Sequence, residues 1–212
     1  MTDGPVSPPP AGNKSLIARV QGILLKPKDE WAVIENEPAT VGSIFTSYVV
    51  ILAAIGPIAS LIGQQAIGVY GWKPPIAYSV TMAVVGYLMA LVGIYLLAII
   101  IDALAPSFGG TKDSVRAMKA AAYSWTAAWL AAIFGIIPQL GIVGLLGLLY
   151  SLYLLYLGLP RLMRVTQDKA VGYVVVTVIA SIVIYFVAAV LVGILVVMFV
   201  GVPTMPGVVV YR

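Results

Sequence analysis

The 212-residue chain contains no cysteine and no histidine, and only 9% of its residues are charged. The missing types exclude disulfides, imidazole–zinc sites, haem ligation and nucleophilic catalysis by Cys or His. The scarcity of charge is as informative, because a water-soluble domain carries about 25% Asp, Glu, Lys and Arg. Eight acidic residues exist, and five of them precede residue 38. No paired carboxylates stand out for general acid–base work on a lipid or any other substrate. Nothing points to a cofactor or to nucleic acid, since a net charge of +4 is modest and follows a topological pattern.

What fills the chain is apolar surface, at 61% of residues and a mean hydropathy of +1.05. In water this would leave patches that aggregate, so the solvent must be lipid. Residues 1–13 are rich in Pro, Gly and Ser and are expected to be a disordered tail, not a signal peptide. In 14–40, Leu16, Ile17, Val20, Ile23 and Leu24 recur at helical spacing. Pro27 interrupts that run, and Trp31, Val33 and Ile34 follow among four acidic residues. The pattern predicts two short amphipathic helices, lying in the membrane interface or packed on the cytoplasmic ends of a bundle.

Five apolar runs then occupy a domain over 41–202, at about 43–69, 75–103, 119–137, 140–159 and 171–200. Each approaches or exceeds the roughly 20 residues needed to cross hydrocarbon. Only Pro138 and Gln139 separate the third and fourth, which requires a tight antiparallel hairpin. The expected fold is an all-α membrane protein with five transmembrane helices and a short N-terminal amphipathic element. Ten of the twelve Lys and Arg residues fall before the first run or in the loops after the second and fourth. By the positive-inside bias the N-terminus is cytoplasmic, and the short 203–212 tail lies outside or in the periplasm.

Several positions are candidates for more than packing. Asp102 closes the second run. It marks a helix end at headgroup depth, paired with Arg116 or Lys119, or, facing inward, serves a proton or cation relay. Tyr150 and Tyr153 lie inside the fourth run and need hydroxyl partners; Tyr123 and Ser124 are nearby options. Together they form a polar seam or ordinary interhelical bonds. Gly141, Gly144 and Gly147 make a small-residue face for the third run's alanines or for a second copy. Pro57 kinks the first run and could open an ion site. Lys112, Arg116 and Lys119, spaced as one helical face, join Trp31, Arg161 and Arg164 as candidate contacts for anionic lipid or a protein partner.

PKDEWAVIENEP before the first run, FGGTKDSVRAMKAAAYSWTAAW leading into the third, IPQLG at the hairpin, LYSLYLLYLGLPRLM closing the fourth and DKAVGY opening the fifth resemble bacterial members of the Yip1 family. The resemblance covers roughly residues 14–200 and implies a five-span inner-membrane protein with a cytoplasmic N-terminal region. Eukaryotic relatives act in vesicle traffic with Rab GTPases; for bacterial members the family implies no settled activity. The expected function is therefore a non-enzymatic membrane-organising or adaptor protein. Its partners would be membrane lipids, a protein engaged through the N-terminal segment and cytoplasmic loops, and a second copy of the chain. The alternative is a small transporter, channel or lipid translocator.

Overall fold

The computed structural model describes residues 14–69 and 72–200, and the two expected tails lie outside them. Every regular element among the described residues is helical. Helix α1 (Leu16–Leu25) starts where Ser15 Oγ accepts from the Ala18 amide at 3.3 Å. One residue, Lys26, separates it from α2 (Pro27–Asn36), whose first position is the proline that suits a helix start. The two helices meet as a sharp hairpin.

Helix α3 (Val41–Ala66) opens with a reciprocal capping box between Thr40 and Ser43. It widens into a π-helical turn at Phe45–Val49 and is interrupted again at Ala54. The second break sits three residues before Pro57, which has no N–H to offer the Ala53 carbonyl. Ala54 bonds back to Leu52, so the Val50 carbonyl is also released; the Tyr87 hydroxyl donates to it at 2.9 Å. Tyr87 belongs to α4 (Ile76–Leu104), which ends in a tight turn at Ala105–Phe108.

The expected third span, 119–137, is not one continuous helix. It is divided into α5 (Ser114–Ser124), α6 (Thr126–Ala131) and a 3-10 turn at Ala132–Ile136. Three side chains repair the break at Trp125. Thr126 Oγ1 donates to the Tyr123 carbonyl at 2.7 Å, Ser151 Oγ accepts from the Ala128 amide at 3.0 Å, and the Tyr48 hydroxyl meets Thr126 Oγ1 at 2.7 Å. Such repair is obligatory where no water can reach the freed groups. Every residue from Ala117 to Ser124 is buried, so this segment is the centre of the bundle. Its alanines let neighbours approach closely, and it needs no lipid-facing apolar surface of its own.

The predicted hairpin follows, turning at Pro138–Leu140 into α7 (Gly141–Met163), which ends at Arg164 with φ +57°. Gly147 abuts the Ala131 side chain and the Ala127 carbonyl, as the small-residue face requires, while Gly141 and Gly144 border open space. Helix α8 (Gln167–Val200) buries Ala170, Tyr173 and Thr177 near its start and exposes large residues such as Ile182 and Phe186 beyond. Among the described residues four helices are long and apolar enough to cross a membrane: Val41–Ala66, Ile76–Phe108, Gly141–Met163 and Gln167–Met198.

Contacts sort these elements into two ends. At one end the Thr111 amide donates to the Met163 carbonyl at 3.0 Å, Tyr173 donates to the Ile101 carbonyl, and Lys119 reaches α2. At the other end Gly63 lies against the carbonyls of Gly135 and Ile136, and Gln65 bonds Ser79 at 2.8 Å.

Candidate functional site

The first end is organised around a buried charge cluster. Arg19 is only 3% exposed. Its guanidinium donates to Glu30 at 2.5 Å and to Glu37, and its carbon lies 5.3 Å from the centre of the Tyr123 ring. Lys14 supplies a second cation to Glu30 at 2.7 Å. Lys119 donates to the Ile34 carbonyl at 2.7 Å and to the Glu37 carbonyl. Those acceptors are orphan carbonyls at the C-terminal end of α2, where a cation is favoured. Tyr48 packs edge-on against Tyr123 with centroids 4.8 Å apart. One network thus ties α1, α2, α3 and α5 together.

Local sequence explains the arrangement. Arg19 stands four residues before buried Ile23, and Glu30 and Glu37 flank buried Ile34 at helical spacing. Arg19 and Glu30 therefore ride on the apolar faces of their helices, and Glu37 is the extended residue that ends α2. Gly22 makes room, since a Cβ there would sit 2.3 Å from the Glu30 carboxylate. Trp31 locks the hairpin to α7: its ring occupies the space above Gly158, 2.5 Å from where a Cβ would be. Outside this cluster, Arg161 donates to Glu35 at 2.7 Å. A small cavity of about 230 Å³ borders it, lined by Lys14, Arg19, Glu37, Ser43, Ser47, Tyr48 and Tyr123.

The other sequence candidates are dispersed. Asp102 does not pair with Arg116 or Lys119 among the described residues; its carboxylate accepts from the Asp113 amide at 2.7 Å and fastens the loop. Asp113 in turn caps α5 through Val115 and Arg116, both at 3.0 Å. Tyr150 donates to the Leu24 carbonyl at 2.7 Å, not to Tyr123 or Ser124. Tyr153 points outward and is exposed, beside the Tyr150 ring. Tyr123 belongs to the charge cluster, and no hydrogen bond among the described residues joins Asp102, Tyr123, Tyr150 and Tyr153 to one another. Lys112 precedes α5 and is exposed, Arg116 lies 3.3 Å from Asp113, and Lys119 is buried, so the three do not share a surface. Arg164 is exposed at the end of α7.

A second cavity, of about 390 Å³, lies between α3, α4 and the third segment. Pro57, Gly56, Ala83, Gly86, Trp125, Trp129 and Ala132 form its walls, and Gln64, Ser60 and Ser79 cluster toward one end. Of the sequence candidates only Pro57 lines it. The charge cluster was absent from the sequence candidates apart from Tyr123 and Lys119. Its signal was the helical register of Arg19 and Glu30 with their apolar neighbours Ile23 and Ile34.

No curated protein and no solved structure matches the chain. The family model described as the Yip1 domain matches residues 22–191, from the second half of α1 to well inside α8, and so takes in the cleft and the Glu30, Glu37, Lys119 and Tyr123 part of the charge cluster, while Lys14 and Arg19 precede it. This multi-pass membrane protein belongs to the Yip1 family.

Proposed function

We propose that the chain is a non-enzymatic membrane-organising or adaptor protein that crosses an inner or plasma membrane five times, with its N-terminal helices in the cytoplasm. The observation that carries this reading is the charge cluster. Nearly all its charge is spent internally, on holding α1, α2 and the ends of the bundle as one rigid face. A rigid face assembled from a hairpin, a fastened loop and a helix end suits recognition of a partner better than chemistry.

The fifth crossing is the broken third segment. It begins beside α2 through Lys119 and ends beside Gly63, at the opposite end of the molecule. Internal repair of its break and burial by neighbours offset its lack of a continuous apolar helix. Ten of the twelve basic residues collect at the α2 end, which favours a cytoplasmic location for it. The outward side of α1 carries Ile17 and Leu25, 68% and 78% exposed, next to Lys26 and Lys28. That side suits the headgroup region, so α1 both packs on the bundle and touches lipid.

The test is quantitative crosslinking in native membranes, comparing the wild type with Lys28→Glu/Asp29→Lys. Both residues are exposed on the hairpin and outside the charge cluster. A defined crosslinked partner should be lost in the variant while the protein remains folded. An unchanged crosslink pattern, repeated with Arg164→Glu, rejects the adaptor reading.

A further inference from the structure

We infer that the cleft between α3, α4 and the third segment holds one acyl chain of a phospholipid from the leaflet opposite the charge cluster. This goes beyond the adaptor reading and does not depend on it. The cleft exists because α3 is broken before Pro57 and α4 presents Gly86, whose missing side chain leaves open space. Trp125 and Trp129 supply broad apolar faces from the third segment. No charged residue is among its described lining, so it suits an uncharged occupant. The hydroxyl and amide side chains Ser60, Gln64 and Ser79 gather at one end, and the remainder, walled by small residues, Pro57 and indole rings, suits hydrocarbon better than water. Its volume of about 390 Å³ is that of a small-molecule site.

Depth and direction identify the occupant. Ser79 lies in the first turn of α4, and Ala90, also on the wall, lies eleven residues further along the same helix. That separation is about 16 Å at 1.5 Å per residue, or roughly half of a 30 Å hydrocarbon core. The cleft therefore runs the depth of one leaflet. Ser79 donates to Gln64 at 3.2 Å and accepts from Gln65 at 2.8 Å, forming a neutral hydrogen-bonding group at headgroup level. An ester linkage belongs beside such a group, with its chain directed inward. The rim opens sideways, since Met82 and Gly86 are exposed, and neighbouring Ile58, Val84 and Leu88 present apolar surface to the same lipid.

The experiment is native mass spectrometry of the full chain in detergent with added dioleoyl phosphatidylcholine. Gly86→Phe and the milder Gly86→Leu fill the cleft. Gly144→Phe, where a Cβ also meets open space, is the control. The wild type and Gly144→Phe should retain one phospholipid, and the Gly86 variants should lose it by about tenfold or more, equivalent to 1.4 kcal/mol. Equal retention in all variants overturns the inference, as does a wild-type dimer that the Gly86 variants dissociate, because the occupant is then a second copy. Should both Gly86 variants fail to fold, the wild type still decides. One bound dibromostearoyl phosphatidylcholine must quench emission from Trp125 and Trp129, and unchanged emission overturns the assignment.

Discussion

Arg19 neutralises two carboxylates while almost wholly buried, and this makes its replacement costly. Removing one partner of a buried ion pair leaves a charge uncompensated, at a cost of about 3–5 kcal/mol. Arg19→Ala should lose stability of that order in reversible unfolding from detergent micelles, and residues 14–37 should become sensitive to protease. A loss below about 1 kcal/mol would mean that the pairs behave as surface bridges. Trp31 gives a second test, because its ring lies where a Gly158 side chain would be. Gly158→Ala is overpacking and should cost about 1–3 kcal/mol, with a red shift of tryptophan emission as Trp31 leaves α7. Unshifted emission would show that the ring can slide. These charges were visible in the sequence, yet Arg19 read as a topological marker and Glu30 and Glu37 as the polar side of an amphipathic helix. Only their register with Ile23 and Ile34 betrays that they point inward, and register does not reveal which helix supplies the partner.

At the scale of elements, the two broken helices differ in cause. Proline interrupts α3, and a run signal can see that. The third segment breaks at Trp125 without proline, and three side chains from three elements satisfy what the break frees. Ser151→Ala removes the acceptor for the Ala128 amide. Interhelical bonds of this kind average about 0.6 kcal/mol and reach about 1.7 kcal/mol in membranes. The expected loss lies toward the upper figure, with faster hydrogen exchange at Ala128. Exchange unchanged at that amide would mean that another acceptor takes over. Apolar run length forecast a span at 119–137 but could not forecast this division. The break depends on groups that are remote in sequence, such as Tyr48, 78 positions from Thr126.

For the whole molecule, the lack of cysteine makes topology directly testable. Single replacements Lys73→Cys, Lys112→Cys, Gln139→Cys and Thr166→Cys all fall on exposed positions. A membrane-impermeant maleimide applied from the cytoplasmic side should label Lys112→Cys and Thr166→Cys and spare Lys73→Cys and Gln139→Cys. Labelling of Gln139→Cys together with Lys112→Cys would return the third segment to the cytoplasmic side and remove a crossing.

Membrane residence, helical class, the hairpin at Pro138 and the crowding of basic residues at one end follow from composition and run length. Hydrocarbon imposes these features on any chain with such apolar stretches, whatever its neighbours. The docking of α1 and α2, the inward turn of Lys119, the engagement of Asp102 with a loop amide and the cleft beside Pro57 depend on which surfaces meet. Each rests on contacts between residues from eleven to more than eighty positions apart. Pairing over such separations is selected by the shape and satisfaction of the assembled bundle, and no local pattern encodes it.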